Sequence, residues 1–301
     1  MIAEAHNPLF IAGPTGVGKS SLAVELAIQL DGEIICGDAF QIYHGLPILT
    51  AQPTPAMLAR VPHHLYGCVS PQETFSAARF ATLALPVIAE VSARGRVPII
   101  VGGSGLYFSA LCGTLDSLPE PDPALRARIT ALSPAKTLEY LRQADPAALE
   151  TIDTKNHRRV TRALEIVLQT GRPLAHSRRA ATRPPPFPIR GILLTRDKEI
   201  LHRRITENIH QQFENGVVEE VMAAGEVSST AARTIGFTEV QAVALGVMTR
   251  EEATAVITRA CTQYAKRQLT WFRNKTHFSA IEVPPNEALA DTLKHIVQVF
   301  S

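Results

Sequence analysis

Cysteine is scarce and scattered in this chain of 301 residues: Cys36, Cys68, Cys112 and Cys261 form no C-x-x-C pair. That excludes a disulfide framework and a cysteine zinc site, and reads as reduced core thiols in a cytoplasmic protein. No apolar run approaches the roughly 20 residues needed to cross a bilayer, so no membrane partner is expected. The opening residues Met1 to Pro8 lack the basic flank and apolar core of a secretory signal. Internal repeats and low-complexity tracts are also missing. Net charge is nearly absent at +2, which on its own argues against a polyanionic partner. What remains is an ordinary globular balance of 46% hydrophobic and 19% charged residues, long enough for one large domain or two modest ones.

The charge that is present is unevenly placed. Lys155 to Arg190 holds nine lysines and arginines (155, 158, 159, 162, 172, 178, 179, 183, 190) against one acid, Glu165. Ala253 to Ala280 holds five (259, 266, 267, 273, 275) and no acid. Concentrated basic surface on a nearly neutral chain is the footprint of a local polyanion contact.

Gly13-Pro14-Thr15-Gly16-Val17-Gly18-Lys19-Ser20 fits G-x-x-x-x-G-K-[ST], the phosphate-cradling loop of nucleotide-binding and ATP-binding proteins. Leu9–Ala12 before it reads as a buried strand, and Ser21 to Leu30 after it as a helix. The glycines let backbone N–H groups close around phosphate oxygens at the positive end of that helix. Lys19 is expected to neutralise the terminal phosphate and the Ser20 hydroxyl to ligate Mg²⁺. The substrate is a di- or triphosphate.

A second strand, Glu33–Cys36, delivers Asp38 near the loop, because ligands of open parallel α/β sheets sit at the carboxyl ends of strands. A nucleotide hydrolase usually ends a further strand in an acid. The best candidate, Pro98–Val101, runs instead into Gly102-Gly103-Ser104-Gly105 with no carboxylate. Asp38 is therefore the candidate general base; the bland alternative is a helix cap or turn aspartate.

Strand and helix patterns alternate through the first 110 residues, which means a parallel α/β layer. Candidate strands are Leu9–Ala12, Glu33–Cys36, His64–Val69 and Pro98–Val101. Ser76–Arg94 carries a helical face of Phe80, Leu83, Val87, Ile88 and Val91, with Pro86 predicting a kink or early break. After Leu118 to Pro123 only helical patterns appear up to the terminator Gly171. Asn156–Thr170 places Val160, Leu164, Val167 and Leu168 on one face and Arg158, Arg159 and Arg162 largely away from it. Arg183 to Pro188 is a stiff connector, and Ile189–Leu194 returns as a strand. The expected architecture is a parallel α/β sheet carrying the phosphate loop and flanked by helices, residues 1–118 and 189–301, with an all-helical insertion at 119–188. In a last helix, about Glu251 to Asn274, Ile257, Tyr264 and Trp271 recur every seven residues, and Arg259, Lys266 and Arg273 lie roughly 200° round from them. The second set is either a cationic contact stripe or a solvated face. Adjacent His63 and His64 point to opposite sides of a strand and make a poor metal pair.

These segments together resemble the tRNA dimethylallyltransferase (tRNA isopentenyltransferase) family. The resemblance rests on the loop, then Asp38-x-x-Gln41-Ile-Tyr43-x-Gly-Leu, Thr50-Ala-x-Pro53 and Val61-Pro-His-His-Leu65. It continues through Val101-Gly-Gly-Ser-Gly-Leu-Tyr107, Leu118-Pro-x-x-Asp-Pro-x-x-Arg126, Arg159-x-x-Arg162-Ala-Leu-Glu165 and Thr170-Gly-x-Pro-Leu174. It ends with Ile235-Gly-Phe-x-Glu239 and the block Gln263 to Arg273, which is far more specific than the loop.

The resemblance implies transfer of an allyl group from dimethylallyl diphosphate to N6 of the adenosine 3′ to the anticodon (position 37) in tRNAs reading U-initial codons. Diphosphate is the leaving group, held by Gly13 to Ser20 with Mg²⁺ and stabilised by Lys19. Asp38 accepts the amine proton, and the Ser104 hydroxyl, where the family usually has Thr, lies between donor and acceptor. Without the resemblance Ser104 reads as a polar turn residue. The adenine is expected to flip out of its stack and to be read at Asp38, Ala39, Phe40 and Gln41, the last through its amide. Arg126, Arg158, Arg159, Arg162, Arg233, Lys266, Arg267, Gln268 and Arg273 fall where the family contacts the tRNA anticodon stem-loop; the bland reading of Arg126 is a surface charge opening a helix. The expected state is a monomer. Departures from the family pattern are Ala39-Phe40, Gln52 where Lys is frequent, and Thr262 where Arg is common. They bear on RNA affinity more than on chemistry. Rival readings are a nucleotide or small-molecule kinase, a prenyltransferase acting on free adenine nucleotides, and a non-catalytic RNA-binding module; intact Lys19, Ser20 and Asp38 argue against the last.

Overall fold

Buried β-branched and aliphatic runs punctuated by glycine build the sheet. The computed structural model describes residues 7–113, 118–120, 122–179, 186–284, 292–294 and 296–297. Arg183, the Pro184–Pro185 part of the connector and residues 1–6 lie outside them. The chain divides into two compact units, Met1–Leu111 with Pro186–Ser301, and Cys112–Pro185.

The first unit opens with β1 (Leu9–Ala12), α1 (Lys19–Gln29) and β2 (Gly32–Cys36). There follow α2 (Pro55–Leu58), β3 (His63–His64), α3 (Ala77–Ala93), β4 (Val97–Gly102) and α4 (Gly105–Leu111). The second unit contributes α5 (Pro123–Thr130), α6 (Pro134–Ala144), α7 (Ala148–Thr151), α8 (His157–Thr170) and α9 (Leu174–Arg179). The first unit then resumes with β5 (Arg190–Thr195), α10 (Lys198–Glu214), α11 (Val217–Ala223), α12 (Phe237–Ala244), α13 (Arg250–Lys275) and β6 (Ser279–Glu282).

All six strands are parallel, in the order β3-β2-β4-β1-β5-β6. β1 and β2 are buried along their whole length, as continuous apolar strands covered on both faces must be. β1 lies between β4 and β5, with Ala12 level with Gly102 and Leu193. The loops leaving β1, β4 and β5 therefore emerge side by side at the carboxyl edge, where such sheets bind ligands.

Several local expectations change. The strand expected at His64–Val69 is only His63–His64, because Leu65 (φ 64°) and Gly67 (φ 56°) turn the chain out of line; Val69 keeps one isolated bridge to Tyr43. α3 runs unbroken across Pro86. Pro86 and Thr82 are both exposed, so water can serve the Thr82 carbonyl that proline leaves without an N–H. The buried face of α3 is Phe80, Ala84, Ile88 and Val91, and Leu83 faces outward. Cys68 is exposed rather than a core thiol, while all four cysteines are free.

The second unit has its own core, in which Ile129, Leu141, Val160, Leu164, Val167 and Leu174 meet. Its key helix, α8, is capped by Asn156 and ended by left-handed Gly171 (φ 62°). Ala163 and Ile166 complete the α8 core face; Leu168, expected on it, is half exposed.

Candidate active site

Gly13 enters the loop after β1 so close to β5 that a Cβ on it would meet the Leu194 carbonyl at 2.9 Å. Gly18 caps α1 with left-handed φ 102°, a conformation that favours glycine, and no side chain caps that helix end. The loop is fastened from three sides. Lys19 Nζ donates to the Pro14 carbonyl at 2.8 Å, Thr15 N–H donates to Gln268 Oε1 at 3.0 Å, and Arg204 Nε donates to the Gly16 carbonyl at 3.0 Å. Burial pushes the Lys19 ammonium down to about 8, and the nearby Asp38 charge offsets part of that shift.

Asp38 stands just past β2. Its Oδ1 accepts from Phe40 N–H at 3.0 Å, so the turn-aspartate reading is part of its role. Ser104 Oγ accepts from Ala39 N–H at 2.8 Å, tying the loop after β4 to the one after β2. Ser104 also begins α4, its carbonyl accepting from Tyr107 and Phe108 N–H. The Tyr264 hydroxyl lies against this group. Burial raises it and the Asp38 charge raises it further, while hydrogen bonding to Ser104 and Gln268 pulls the other way. The Tyr264 ring packs 5.8 Å from that of Phe40, and the Arg267 guanidinium lies 5.8 Å from its centre.

Two residues expected to contact RNA also brace loops within the chain. Gln268 is buried (5% exposed), its Nε2 donating to the Gly103 carbonyl at 3.0 Å while Oε1 holds Thr15. It is a strut between two loops, and a Cβ on Gly103 would overlap its amide. The Gln41 amide nitrogen donates to the Thr50 and Ala51 carbonyls at 3.0 and 2.6 Å, bracing a turn. Gln52, which departs from the family pattern, donates to the Gln41 and Tyr43 carbonyls, both at 2.9 Å.

The basic positions divide. In the helical unit Arg126 forms a bidentate pair with Glu165 at 2.6 and 2.7 Å, and Arg162 adds a third contact at 3.3 Å besides donating to the Pro119 carbonyl at 2.6 Å. Glu165 is buried, so both arginines help to hold that unit together. Arg158 and Arg159 are exposed. In the sheet unit Arg233, Arg259, Lys266, Arg267 and Arg273 are exposed. His64 and His63 part ways as strand geometry demands: His64 Nε2 meets Glu33 Oε2 at 2.6 Å and His63 Nδ1 meets the Val61 carbonyl at 2.8 Å.

Sequence reasoning gave no role to Tyr264 or Arg204. The tyrosine lies within the specific block Gln263 to Arg273, and Arg204 nearly two turns into α10, so only the block offered a signal. No group of three or more His, Cys, Asp or Glu side chains that could hold a metal occurs among the described residues. Ser20 supplies a hydroxyl at the first turn of α1, an oxygen donor of the kind Mg²⁺ takes beside phosphate oxygens and water. Among the described residues no helix is long and apolar enough to cross a membrane.

Comparison with known proteins agrees with this geometry. The IPP transferase family model matches residues 41–275. A tRNA dimethylallyltransferase of Akkermansia muciniphila is 40% identical over 280 residues, covering 93% of this chain and 95% of the relative. One from Thermus thermophilus is 42% identical over 272 residues, covering 88% and 89%. The crystal structure of the tRNA isopentenylpyrophosphate transferase of Bacillus halodurans superposes with TM-score 0.71 at 34% identity, covering 98% of this chain and 96% of that one. A eukaryotic dimethylallyltransferase structure shares the fold, with TM-score 0.81 at 23% identity over 97% of this chain and 77% of that one. The chain belongs to the IPP transferase family.

Proposed function

We propose that this enzyme transfers the dimethylallyl group of dimethylallyl diphosphate to N6 of the adenosine at position 37 of tRNAs reading U-initial codons, releasing diphosphate. The observation that carries the reading is the fastening of the phosphate loop, the Asp38 turn and the Ser104 turn into one site by the Gln268 and Ser104 hydrogen bonds. The adenine nitrogen attacks the allylic carbon as its bond to the diphosphate oxygen breaks. Negative charge grows on the departing diphosphate, where Lys19 and the loop N–H groups stabilise it. Mg²⁺ held by Ser20 and the diphosphate supplies further charge neutralisation when bound. Asp38, fixed by its turn, accepts the proton that nitrogen releases. Ser104 holds Ala39 and with it the turn. The exposed Arg158, Arg159, Arg233, Lys266, Arg267 and Arg273 supply phosphate contacts to the anticodon stem-loop, and the enzyme acts as a monomer in the cytoplasm.

The test is transfer of labelled dimethylallyl diphosphate, with Mg²⁺, to unmodified tRNA, with adenosine monophosphate in parallel. Label on tRNA is expected, and Asp38→Asn should lower turnover by about 10²–10⁴-fold with tRNA affinity kept. Label on the free nucleotide alone reassigns the acceptor; label on neither, with phosphoryl transfer from ATP, makes the chain a kinase.

A further inference from the structure

Besides Lys19 of the loop, whose ammonium is desolvated, the buried charged side chains among the described residues are Glu33, Asp145, Glu165 and Arg196, the last being the one cation of these four. Glu33 meets Arg94 and His64, Glu165 meets Arg126 and Arg162, and Asp145 accepts from Leu174 N–H. Each of these serves the packing around it. Arg196 sits somewhere else. It follows the last residue of β5 and precedes Asp197, the cap of α10. β5 runs level with β1, Leu193 beside Ala12, so the segment with Arg196 leaves the same carboxyl edge as the loop after β1. Its Nη2 lies 3.7 Å from where a Cβ on Gly18 would stand.

Burying a guanidinium is costly unless anionic or carbonyl oxygens receive its N–H groups. Arg196 already has a contact within the chain. The guanidinium presents five donors in a planar fork, and that fork matches phosphate oxygens bidentately. We propose that Arg196 is a ligand of the substrate diphosphate, placed by β5 beside Gly18 to bind the leaving group together with the loop. The inference rests on the reading above, in which that loop holds a diphosphate. It adds a binding residue lying outside the loop motif and supplied by the strand that restarts the sheet after the helical unit.

The experiment is calorimetric titration of the full-length chain with inorganic pyrophosphate and Mg²⁺, for wild type, Arg196→Gln, Arg196→Lys and Lys19→Ala. Arg196→Gln is expected to weaken pyrophosphate by about 30-fold or more, the loss typical of truncating one partner of a buried charge pair. Arg196→Lys should recover part of that, since it keeps the charge without the fork. Equal affinity in wild type and Arg196→Gln, with Lys19→Ala weakened, overturns the role of Arg196 and leaves the loop reading intact. Absence of pyrophosphate binding by wild type overturns the loop reading and this one with it. Hydrogen exchange of residues 13–20 without ligand separates contact from support: loss of protection there in Arg196→Gln would mean that the arginine acts through loop structure, and would also overturn the proposal. If Arg196→Gln does not fold, Arg196→Lys carries the comparison.

Discussion

Two arginine-rich helices, α8 in the helical unit and α13 in the sheet unit, look alike by composition and are used differently. On α8, Arg162 turns to Glu165, and Arg126 joins them from α5, so two of the four expected RNA-facing arginines of that unit bind a buried carboxylate. Arg158 and Arg159 stay in solvent. On α13 the cationic residues Arg259, Lys266 and Arg273 form an exposed stripe, and the polar residues turned inward, Thr254, Thr258 and Gln268, are neutral. The difference teaches that a basic count does not measure a polyanion surface. A cation offered to RNA must not already be compensating an interior charge. α13 can give its whole stripe because its buried face holds loops through an amide rather than through an ion pair.

The strongest way to break this contrast is Arg126→Ala. Removing one partner of a buried pair leaves Glu165 undercompensated, and a loss of about 2–3 kcal/mol is expected, near the low end because Arg162 remains and Arg126 is half exposed. Urea unfolding followed by circular dichroism measures it, and Arg126→Met with Glu165→Leu should recover most of the loss. A stable single variant with weakened tRNA binding would move Arg126 back to the RNA surface.

Gln268→Leu tests the inward side of α13. It strips partners from Thr15 N–H and the Gly103 carbonyl at a buried site, worth about 1–3 kcal/mol. The KM for dimethylallyl diphosphate should rise while tRNA affinity holds. Weaker tRNA binding with an unchanged donor KM would make Gln268 an RNA contact.

Lys19 sharpens the comparison from a third position, because its charge titrates near 8 whereas guanidinium does not. Its folded value lies below its ordinary 10.5, so the ligand-free fold favours the neutral amine and this contribution to stability grows as pH rises from about 8 to 10.5. Diphosphate binding needs the charged form and runs oppositely, weakening by up to about tenfold per pH unit above 8. The difference in pyrophosphate affinity between wild type and Lys19→Arg across pH 7–10 reads it; parallel profiles would remove Lys19 from the contact.

The smallest effects belong to the exposed cations. Arg158→Ala, Arg159→Ala and Lys266→Ala should each leave stability within about 0.5 kcal/mol, weaken tRNA binding and reduce the salt slope by about 1. Filter binding of tRNA from 50 to 300 mM salt checks this. An unchanged slope in Lys266→Ala would make the α13 stripe a solvated face.

Much of this is legible in the sequence. β1 has the bounds that Leu9–Ala12 suggested, since a short apolar run before the loop glycines can only be a buried strand. Asn156 and Gly171 bracket α8 because a cap side chain and a left-handed glycine act within one turn. The placement of Asp38 after β2 followed from how parallel sheets bind ligands. The bonds from Ser104 to Ala39 and from Gln268 to Thr15 join residues 65 and 253 positions apart, beyond any local pattern.

Local chemistry thus determined the glycine-rich turn after β1, the strand–helix alternation and the helices of the second unit, because each depends on residues within a few turns of one another. Tertiary structure decided which polar side chains are free. Gln268 and Arg126 are ordinary polar residues in the sequence, and only a carbonyl or carboxylate from a distant segment commits them to the fold. Arg196 is the converse: an isolated arginine in the chain, brought beside Gly18 by the parallel pairing of β1 and β5. Desolvation is the reason, for it acts on what surrounds a group in space and is blind to its neighbours along the chain.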